Sequence, residues 1–169
     1  MNAAPKVDSL ARPSLKDAMR LVAGGVAVVT AGEREERTGL TATSAVSLSI
    51  DPPTMIVCVN RNASALPVIE RRRHFCINVL AAEHEHVANR FAGLGDVKGA
   101  ARYEEADWRP HATGALALEG ALASIDCEVE ELIERHSHVI VIGAVRGVRI
   151  GAGEPLVYTR GRYHKLAKS

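Results

Sequence analysis

The chain has 169 residues, of which 47% are hydrophobic and 24% charged, and its net charge is +1. This composition is typical of a globular domain, and the near-neutral charge argues against a nucleic-acid partner, because nucleic-acid-binding proteins carry a basic excess. No apolar run reaches the ~20 residues of a membrane-spanning helix, and the start of the chain does not resemble a signal peptide. We therefore expect a cytoplasmic protein with no membrane partner.

The first elements follow a polar start. Residues 1–13 are predicted to form a flexible tail, and residues 14–169 a single domain. Ser14 can cap a helix that runs to about Ala23, where two glycines end it. The Val-rich residues 26–31 then indicate a buried strand.

Two strands and a helix are predicted next. Residues 39–50 are mostly small or β-branched and indicate one strand, which a pair of prolines ends. Residues 54–60 are nearly all apolar, so we expect a strand buried on both faces. Ser64 can cap a short helix to about Arg73, and residues 74–80 indicate a further strand.

The second half of the chain adds a helix over residues 83–92 and then a long irregular stretch over 94–115. A loop of that length in a compact domain is usually a lid or a binding loop. Residues 122–134 alternate as in a half-exposed antiparallel strand, residues 139–145 are apolar on both faces, and residues 156–159 form a last short strand.

In the alternating strand, we expect Ile125, Cys127 and Val129 to face inward and Asp126 to face outward, together with the neighbouring glutamates. Strands dominate the whole chain, and no strand–helix–strand unit repeats. The predicted fold class is therefore mainly β with added helices, in which six or seven antiparallel strands close into a barrel and remove open sheet edges.

Several chemical motifs are absent from the sequence. It contains no GxGxxG, Walker or GxSxG pattern, and no Cys/His cluster with zinc spacing, so we expect no metal site. Cys58, Cys76 and Cys127 lie far apart in apolar stretches, which predicts reduced and buried thiols. His136 and His138 share a face if they lie on one strand, so a metal pair, a polar strand end and a ligand-binding imidazole remain alternatives.

Five segments together carry a family resemblance. They are G-L-T-A-T-S-A-V-S-L-S-I-D-P-P-T-M-I-V-C-V-N at residues 39–60, F-C-I-N-V-L at 75–80, R-F-A-G at 90–93, W-R-P with T-G-A at 108–115, and P-L-V-Y-T-R-G-R-Y at 155–163. In this order and spacing, the chain resembles the short-chain flavin reductases, which are the reductase components of two-component flavin-dependent monooxygenases within the FMN-binding split-barrel group.

The resemblance implies a reaction and its partners. A flavin reductase of this kind uses NADH or NADPH to reduce FMN or FAD, and the reduced flavin diffuses to a partner monooxygenase. Such a protein acts by positioning, since the hydride passes between two bound cofactors. We also expect a homodimer, because the apolar residues 54–59 and 139–145 would need a partner subunit to cover their second faces.

The resemblance also implies which residues hold the flavin. The positions concerned are Thr41, Ala42, Thr43, Ser44, Cys58, Val59, Asn60, Arg61, Ser64, Asn78, Val79, Arg90 and Phe91. The small residues of the first group let the backbone approach the ring, and the segment ending at Ser64 leads to the ribityl phosphate. Leu66 stands where the family often has threonine, so we expect Arg61 or Arg90 to serve as the charged phosphate partner.

The nicotinamide nucleotide is assigned by the resemblance to His138, Arg160 and Tyr163, with His138 as the catalytic position. Family members usually carry Gly-Asp before that histidine, whereas this chain has His136 and Ser137. The replacement leaves the choice between NADH and NADPH open. It also motivates a first alternative, a flavin-binding or electron-transfer protein without efficient nucleotide turnover. Two further alternatives are an oxidase of a small phosphorylated substrate and a heme-binding protein.

Overall fold

A computed structural model describes residues 13–166 of the chain, so nearly all of the predicted tail lies outside the described residues. The α-helices are α1 (Leu15–Met19), α2 (Leu66–Arg72) and α3 (Glu85–Phe91), and short 3-10 turns lie at Arg34–Glu36, Ala82–His84, Leu94–Asp96 and Gly99–Tyr103. The strands are β1 (Gly24–Gly25), β2 (Ala27–Ala31), β3 (Thr38–Ala42), β4 (Val46–Ile50), β5 (Pro53–Asn60), β6 (His74–Val79), β7 (Trp108–Pro110), β8 (Leu116–Leu118), β9 (Ala123–Arg135), β10 (His138–Ile150), β11 (Leu156–Thr159) and β12 (Arg162–Lys165).

Seven of the strands form one antiparallel sheet in the order β3-β2-β6-β9-β10-β5-β4. A three-stranded sheet (β1-β11-β12) and the two-stranded hairpin β7-β8 complete the described part of the chain. The prediction of a mainly β, antiparallel fold with added helices is confirmed. The sequence did not indicate β12, which pairs with β11 across a tight turn.

The residues predicted as one long strand, 39–50, form two strands instead. β3 ends at Ala42 and β4 begins at Val46, so only three residues separate them. These two strands are the opposite edges of the seven-stranded sheet. A chain that passes from one edge to the other through three residues requires the sheet to curl round until its edges approach each other.

Helix α1 begins as predicted. The Ser14 hydroxyl accepts a hydrogen bond from the Asp17 N–H at 3.3 Å, and the Asp17 carboxylate accepts one from the Ser14 N–H at 2.9 Å. This reciprocal pair is a capping box, which satisfies two backbone donors at the start of the helix. The helix ends at Met19, four residues before the predicted end at Ala23.

The sheet has a core on each side of β2. Val29 packs inside the curl with Phe75 and Ile77, whereas Val28 packs outside it with Phe91 on α3. Alternation of side chains along a strand explains why adjacent valines enter different clusters. Both phenylalanines are almost fully buried, and burial of such a side chain stabilises the fold by about 1.5–3 kcal/mol.

Strands β5 and β10 have one buried face rather than two. Val57 and Val141, a register pair, are fully buried, but Ile56 and Ile142 on the opposite face are only half-buried. The reason is that α3 and the β7-β8 hairpin pack against β2, β3, β6 and β9. A single chain thus buries one face of each of these strands, and burial of the second face by a partner subunit stays a prediction.

The prediction for Asp126 is also wrong, because its side chain is fully buried. The hairpin β7-β8 covers it, and its carboxylate accepts hydrogen bonds from the Thr113 N–H at 2.5 Å and the Thr113 hydroxyl at 2.8 Å. A buried carboxylate needs such partners because its charge is otherwise costly to desolvate. The loop that was predicted as irregular is thus tied firmly to β9.

The same loop carries an aromatic cluster. Tyr103 and Trp108 lie 4.9 Å apart between ring centroids, and Phe91 of α3 lies 5.0 Å from Tyr103. Edge-to-face rings at these distances contribute beyond the area that they bury. We call residues 94–118 the lid, since they cover one side of β3 and β6. No helix among residues 13–166 has the length and apolarity to cross a membrane.

Candidate functional site

Two adjoining cavities open along the edge strand β3, and both are lined by Thr41 and Ala92. The tyrosine cavity has a volume of about 230 Å³ and is lined by Val26, Thr41, Ala42, Thr43, Ala92, Tyr158 and Tyr163. The arginine cavity has a volume of about 480 Å³ and is lined by Gly39, Leu40, Thr41, Asn60, Asn62, Ala63, Ser64, Phe91, Ala92, Lys98, Gly99 and Arg102. Together they form one cleft with an aromatic end and a basic end.

The backbone of β3 is exposed to the cleft because β3 has a neighbour on one side only. An edge strand presents N–H and C=O groups that no ladder uses. The Thr41 hydroxyl donates to the Ala88 carbonyl at 2.6 Å, which fixes this strand against α3. Hydrogen bonds to a planar ring in the cleft would therefore come mainly from the backbone of residues 41–44 rather than from the Thr41 hydroxyl.

Ser44 lies in the turn between the edge strands β3 and β4 and bonds to β5. Its hydroxyl donates to the Cys58 carbonyl at 3.2 Å and accepts from the Cys58 N–H at 3.3 Å. Ser44 and Cys58 thus stabilise the turn between β3 and β4, and neither lines the two cavities. Val59 is fully buried in the core. Of the small residues, Ala42 and Thr43 line the tyrosine cavity, as a role against the flavin ring requires.

Ser64 lines the arginine cavity, but it does not cap α2. The N-cap of α2 is Ala65, which makes no side-chain capping bond, and the Ser64 hydroxyl lies 3.1 Å from the Thr38 hydroxyl. The predicted cap at Ser64 is therefore wrong. The reason is that the helix begins one residue later and Pro67 occupies its first turn. The Ser64 hydroxyl remains at the cavity surface.

Asn60 and Asn62 shape the loop that precedes Ser64. The Asn60 side-chain oxygen accepts a hydrogen bond from the Asn62 N–H at 2.9 Å, a local bond that mimics a backbone turn. Both asparagines are exposed and line the arginine cavity. This wall of the cavity is therefore built from polar groups that can donate to an anion.

The two arginines predicted as phosphate partners are bound elsewhere. Arg61 pairs with Glu134 at 2.7 Å, and Arg90 pairs with Glu104 at 3.2 Å and Glu105 at 3.0 Å. Neither arginine lines the cavities. The guanidinium of Arg90 also donates to lid carbonyls, including that of Arg102 at 3.4 Å. Arg90 thus holds the lid in place instead of facing the cleft.

Arg102 and Lys98 supply the positive charge of the arginine cavity instead. The Arg102 guanidinium donates to the Val97 carbonyl at 3.1 Å and to the Gly39 carbonyl of β3. Burial lowers the pKa of Arg102 from its usual value, yet an arginine stays protonated near neutral pH. The sequence analysis missed both residues because it treated the lid as irregular. The sequence feature that could have indicated them is a pair of cations four positions apart, Lys98 and Arg102, the second of which directly precedes Tyr103.

Asn78 lies behind the cleft. It is fully buried, its amide donates to the carbonyls of Val28 and Leu116 at 3.3 Å, and its oxygen accepts from the Leu118 N–H and the Ser124 hydroxyl at 2.8 Å. A buried asparagine needs hydrogen-bond partners, and those of the Asn78 side chain are all protein groups. Asn78 therefore fastens the lid strand β8 to the sheet.

Val79 is also outside the two cavities, since it pairs with Ala27 of β2 and Ala123 of β9. Phe91 lines the arginine cavity and closes on Gly39 of β3. A Cβ atom on Gly39 would lie 2.5 Å from the Val29 carbonyl and 2.7 Å from the Phe91 ring. Only glycine permits this approach, so Gly39 brings the aromatic side chain against the edge strand.

The aromatic end of the cleft is formed by Tyr158 and Tyr163, whose ring centroids lie 5.1 Å apart. Burial raises the pKa of Tyr163, so its hydroxyl stays protonated near neutral pH. Arg160 stands in the turn between β11 and β12 with a φ of 52°, and its N–H donates to the Arg20 carbonyl at 2.6 Å. The predicted nucleotide residues Arg160 and Tyr163 thus share one hairpin.

His138 lies apart from that hairpin. It begins β10 opposite Asn60, is exposed, and its Nδ1 lies 2.9 Å from the Ser137 hydroxyl. His136 occupies the turn between β9 and β10 with a φ of 50°, so the two histidines are not successive same-face residues of one strand. Among residues 13–166, no group of three or more His, Cys, Asp or Glu side chains is placed to hold a metal ion.

Residues 19–167 match the model of the flavin reductase like domain. The chain belongs to the flavin reductase family. This flavin reductase is 39% identical to "FMN reductase (NADH) RutF 2" of Methylorubrum extorquens over 94% of its own length and 91% of the relative's. It is also 33% identical to the reductase component of 4-hydroxyphenylacetate 3-monooxygenase of Pseudomonas aeruginosa, over 90% and 91% of the two chains.

Solved structures agree with this assignment. The NADH:FAD oxidoreductase of Streptomyces globisporus C-1027 superposes on the flavin reductase with a TM-score of 0.84 and 30% identity, over 99% of this chain and 100% of the other. The flavin reductase component of a bacterial two-component tryptophan halogenase also has a TM-score of 0.84 and 30% identity, over 92% and 98% of the two chains. The family resemblance and the antiparallel fold are thereby confirmed.

Proposed function

We propose that this flavin reductase uses NADH to reduce FMN or FAD and supplies the reduced flavin to a partner monooxygenase. The observation that carries the proposal is the cleft along β3, which combines an exposed backbone edge, an aromatic end and a basic end. The relatives support the chemistry, since they are named as NADH-dependent FMN reductases, an NADH:FAD oxidoreductase and monooxygenase reductase components.

The cleft fits a flavin by its donors and dimensions. Backbone groups of β3 at Thr41–Ala42 face the middle of the cleft, where a planar ring can accept and donate hydrogen bonds. Asn60, Asn62 and Ser64, together with the two lid cations, surround the basic end, where a phosphate would be held. Adjoining volumes of about 230 and about 480 Å³ suit a ligand of several rings with a side chain.

Bound flavin supplies the hydride acceptor, and the nicotinamide nucleotide supplies the hydride. The chain's own residues position the two and exclude water. Tyr158 and Tyr163 offer aromatic surface at the end of the cleft opposite the lid cations, so the nucleotide is proposed to enter there. Alignment of two reactants in this way is worth several kcal/mol of the barrier, and it needs no acid or base from the protein.

The remaining predicted site residues stay part of the proposal as positions near the cleft. Asn60 and Ser64 are proposed for the phosphate end, Phe91 for the wall beside Gly39, and Tyr163 for the nucleotide. His138 is adjacent to Asn60 by strand pairing, so we propose that it acts from the rim of the cleft. We propose that Arg61, Asn78 and Arg90 hold the walls of the cleft in place and do not touch the flavin, because their side chains bond to protein groups.

We propose a homodimer because large apolar side chains are exposed at two places. One is α1 with the residues after it, and the other comprises β4 and the end of β10; the residues are Leu15, Met19, Leu21, Val22, Val46, Leu48, Ile50, Val148 and Ile150. Apolar surface of this extent is typical of an interface. Sedimentation at micromolar concentration tests this, and a monomer there would overturn it.

We further propose that residues 14–169 form a single domain of the split-barrel type and that the protein works in the cytoplasm. The curled sheet, whose edge strands β3 and β4 do not pair with each other, supports the first statement. The three free cysteines support the second, because disulfides are rare in a reducing compartment. Limited proteolysis tests the single domain, since a second domain would give a second resistant fragment.

The deciding experiment measures oxidation of NADH and of NADPH, each with and without added FMN or FAD. We expect oxidation that depends on added flavin and prefers NADH. If flavin binds but neither nucleotide is oxidised, the alternative of a flavin-binding or electron-transfer protein replaces this proposal. That alternative rests on His136 and Ser137, which stand where the family usually has Gly-Asp.

A further inference from the structure

We propose that a further cavity, at the hairpin end of the lid and apart from the cleft, binds a small organic carboxylate. This turn cavity has a volume of about 340 Å³ and lies between the turn that joins β2 to β3 and the β7-β8 hairpin. Its lining residues are Glu33, Arg34, Arg37, Pro110, Gly114 and Leu116, and none of them lines the tyrosine or the arginine cavity. The inference goes beyond the proposed function and does not depend on it.

The guanidinium of Arg37 is the group in this cavity whose bonding is least complete. Arg37 is half-buried, and its Nε is shielded from solvent and has no hydrogen-bond partner among residues 13–166. The guanidinium lies over the Tyr103 ring, 5.2 Å from the ring centroid. An aromatic face attracts the positive charge, but this contact does not satisfy the N–H donors that lie in the plane of the guanidinium.

Arg37 also lacks a counter-ion. Within residues 13–166, neither Arg37 nor Arg34 forms an ion pair with a carboxylate. The nearby Glu36 is already bound to other cations, since it pairs with Arg72 and with Arg71 at 3.4 Å. A partly desolvated cation without a counter-ion is costly, and an anionic ligand is the group that relieves this cost.

The charges that line the turn cavity fit an anion with one negative charge. Arg34 and Arg37 are positive, whereas Glu33, whose Oε1 lies 3.9 Å from the Nε2 of His74, is negative. One carboxylate balances this set, whereas a phosphate with about two negative charges would be repelled by Glu33. The planar guanidinium of an arginine can also bind both oxygens of a carboxylate at once.

The lid side of the turn cavity is apolar. Pro110 and Leu116 line it, and Gly114 adds no side chain. A Cβ atom on Gly114 would lie 2.9 Å from a carboxylate oxygen of Glu33, and the φ of Gly114 is 97°, so glycine lets the hairpin approach the turn. A ligand that fills the cavity therefore has an apolar body beside its carboxylate, and this volume suits about six to ten non-hydrogen atoms.

Cyclohexanecarboxylate has these properties and serves as the probe, because it does not absorb the light that excites tryptophan. Trp108, the single tryptophan of the chain, stands two residues before Pro110 and lies 4.9 Å from the Tyr103 ring. We expect titration of the full chain, without flavin or nucleotide, to change the fluorescence of Trp108 in a saturable way. The neutral cyclohexanecarboxamide should bind at least about tenfold more weakly, because a hydrogen bond to a charged group is lost.

Three variants test the charges of the cavity. Arg37→Gln should raise the Kd of cyclohexanecarboxylate by about ten- to a hundredfold. Arg34 is exposed, so Arg34→Gln should raise this Kd by about two- to fivefold. Glu33→Gln should instead lower it by about two- to fivefold, because a repelling charge is removed. The opposite signs for Arg34→Gln and Glu33→Gln test the inference even if Arg37→Gln does not fold.

Arg109→Gln is the matched control. Arg109 is an exposed arginine of the same hairpin, pairs with Glu119 at 3.2 Å and does not line the turn cavity. Its replacement should leave the Kd of cyclohexanecarboxylate unchanged.

Two-dimensional NMR spectra of the ¹⁵N-labelled chain locate the ligand. We expect cyclohexanecarboxylate to shift the amide signals of residues 33–37 and 111–116 and to leave those of residues 41–43 in the cleft unchanged. Shifts confined to the cleft would overturn the inference, because the anion would then bind there.

Three further results would also overturn the inference. Absence of saturable binding would mean that the turn cavity holds no carboxylate. Equal affinity for the carboxylate and the carboxamide would mean that Arg37 does not recognise the charge. Tighter binding of inorganic phosphate than of cyclohexanecarboxylate would exclude the ligand class. Failure of the proposed function is distinguishable, since these measurements contain no flavin and no nucleotide.

Discussion

Polar side chains gather in two regions of this flavin reductase, and the regions use them differently. Behind the sheet, Asn78 and Asp126 are fully buried, and every hydrogen bond of their side chains is to a protein group. Along the cleft, Asn60, Asn62 and Lys98 are exposed. The first region fastens the lid, and the second faces solvent or ligand. The residue type alone therefore does not show whether an asparagine stabilises the fold, as Asn78 does, or lines the cleft, as Asn60 and Asn62 do.

Thiol reactivity gives the largest expected contrast between the two regions. Burial raises the pKa of Cys127 to about 12 and also raises that of Cys76, whose thiol lies beside Asn78. Since the thiolate is the reactive form and buried thiols are also shielded from the reagent, we expect Cys58, which is only half-buried, to react with an aromatic disulfide at pH 8 much faster than the other two cysteines.

The rates are measured by following the chromophore that each thiol releases from the aromatic disulfide, in native and in denatured protein. One fast thiol and two slow ones are expected, with all three of the chain's cysteines fast in denaturant. Cys58→Ser is the control that should remove the fast phase. A fast phase that persists in that variant would mean that the buried region opens readily.

Asn78→Ala should cause the largest loss of stability. The substitution removes five side-chain hydrogen bonds, one of them a weak bond from the Cys76 thiol, and leaves the Leu118 N–H and the Ser124 hydroxyl without their partner. Unsatisfied buried groups cost about 1–3 kcal/mol each, so we expect the free energy of unfolding to fall by about 3–5 kcal/mol. Urea denaturation measures the change.

Asn62→Ala is the matched control at the cleft and should change the free energy of unfolding by less than about 0.5 kcal/mol. If Asn78→Ala instead kept its stability and lost only flavin affinity, then Asn78 would be a wall of the flavin site after all, as the family resemblance implied.

Thr113→Val should have an intermediate effect. It removes the hydroxyl that donates to the buried Asp126 carboxylate at 2.8 Å and keeps the backbone bond. Because hydrogen bonds to charged groups contribute about 1.5–3 kcal/mol, we expect a loss of about 2 kcal/mol in urea denaturation. Thr43→Val, at the exposed cleft, is the control; an equal loss there would remove the distinction between the regions.

His84 should give the smallest effect, and it depends on pH. Burial lowers the pKa of His84, and its Nδ1 accepts a hydrogen bond from the Ala81 N–H at 3.3 Å, which requires that nitrogen to be unprotonated. The unfolded chain therefore binds this proton more readily. The free energy of unfolding should be highest above about pH 6.5 and should fall as the pH drops below that value.

Melting temperatures at pH 7.5 and pH 5.5 measure this pH dependence. His84→Gln should reduce the difference between the two by an amount worth less than about 1 kcal/mol. An unchanged difference in His84→Gln would show that other groups govern the acid response.

The sequence allowed much of the fold to be predicted because alternation and turn residues act locally. The strands β2, β5, β6, β9 and β10 appeared near their predicted positions, and Ser14 capped α1. The break in residues 39–50 was missed, since both halves have strand character and only the curl of the sheet separates them. The burial of Asp126 was missed because it depends on a hairpin distant in sequence.

The site was predicted less completely than the fold. The family resemblance assigned residues 41–43 to the flavin, and these residues line the cleft, so their role in binding flavin stays a prediction. The charged residues that line the cleft were not predicted, because Arg61, Arg90 and Arg102 cannot be told apart from the sequence alone. Only tertiary structure shows that glutamates neutralise the first two and that carbonyls hold the third.

The lid also covers part of the edge strand β3. The Tyr103 hydroxyl donates to the Thr38 carbonyl at 2.6 Å, and Arg102 donates to the next carbonyl of β3, that of Gly39. Unpaired strand edges are templates on which other chains add strands and aggregate. Side chains of the lid thus hold two successive carbonyls of this edge strand, so we expect a variant whose lid detaches to become prone to aggregation before it unfolds.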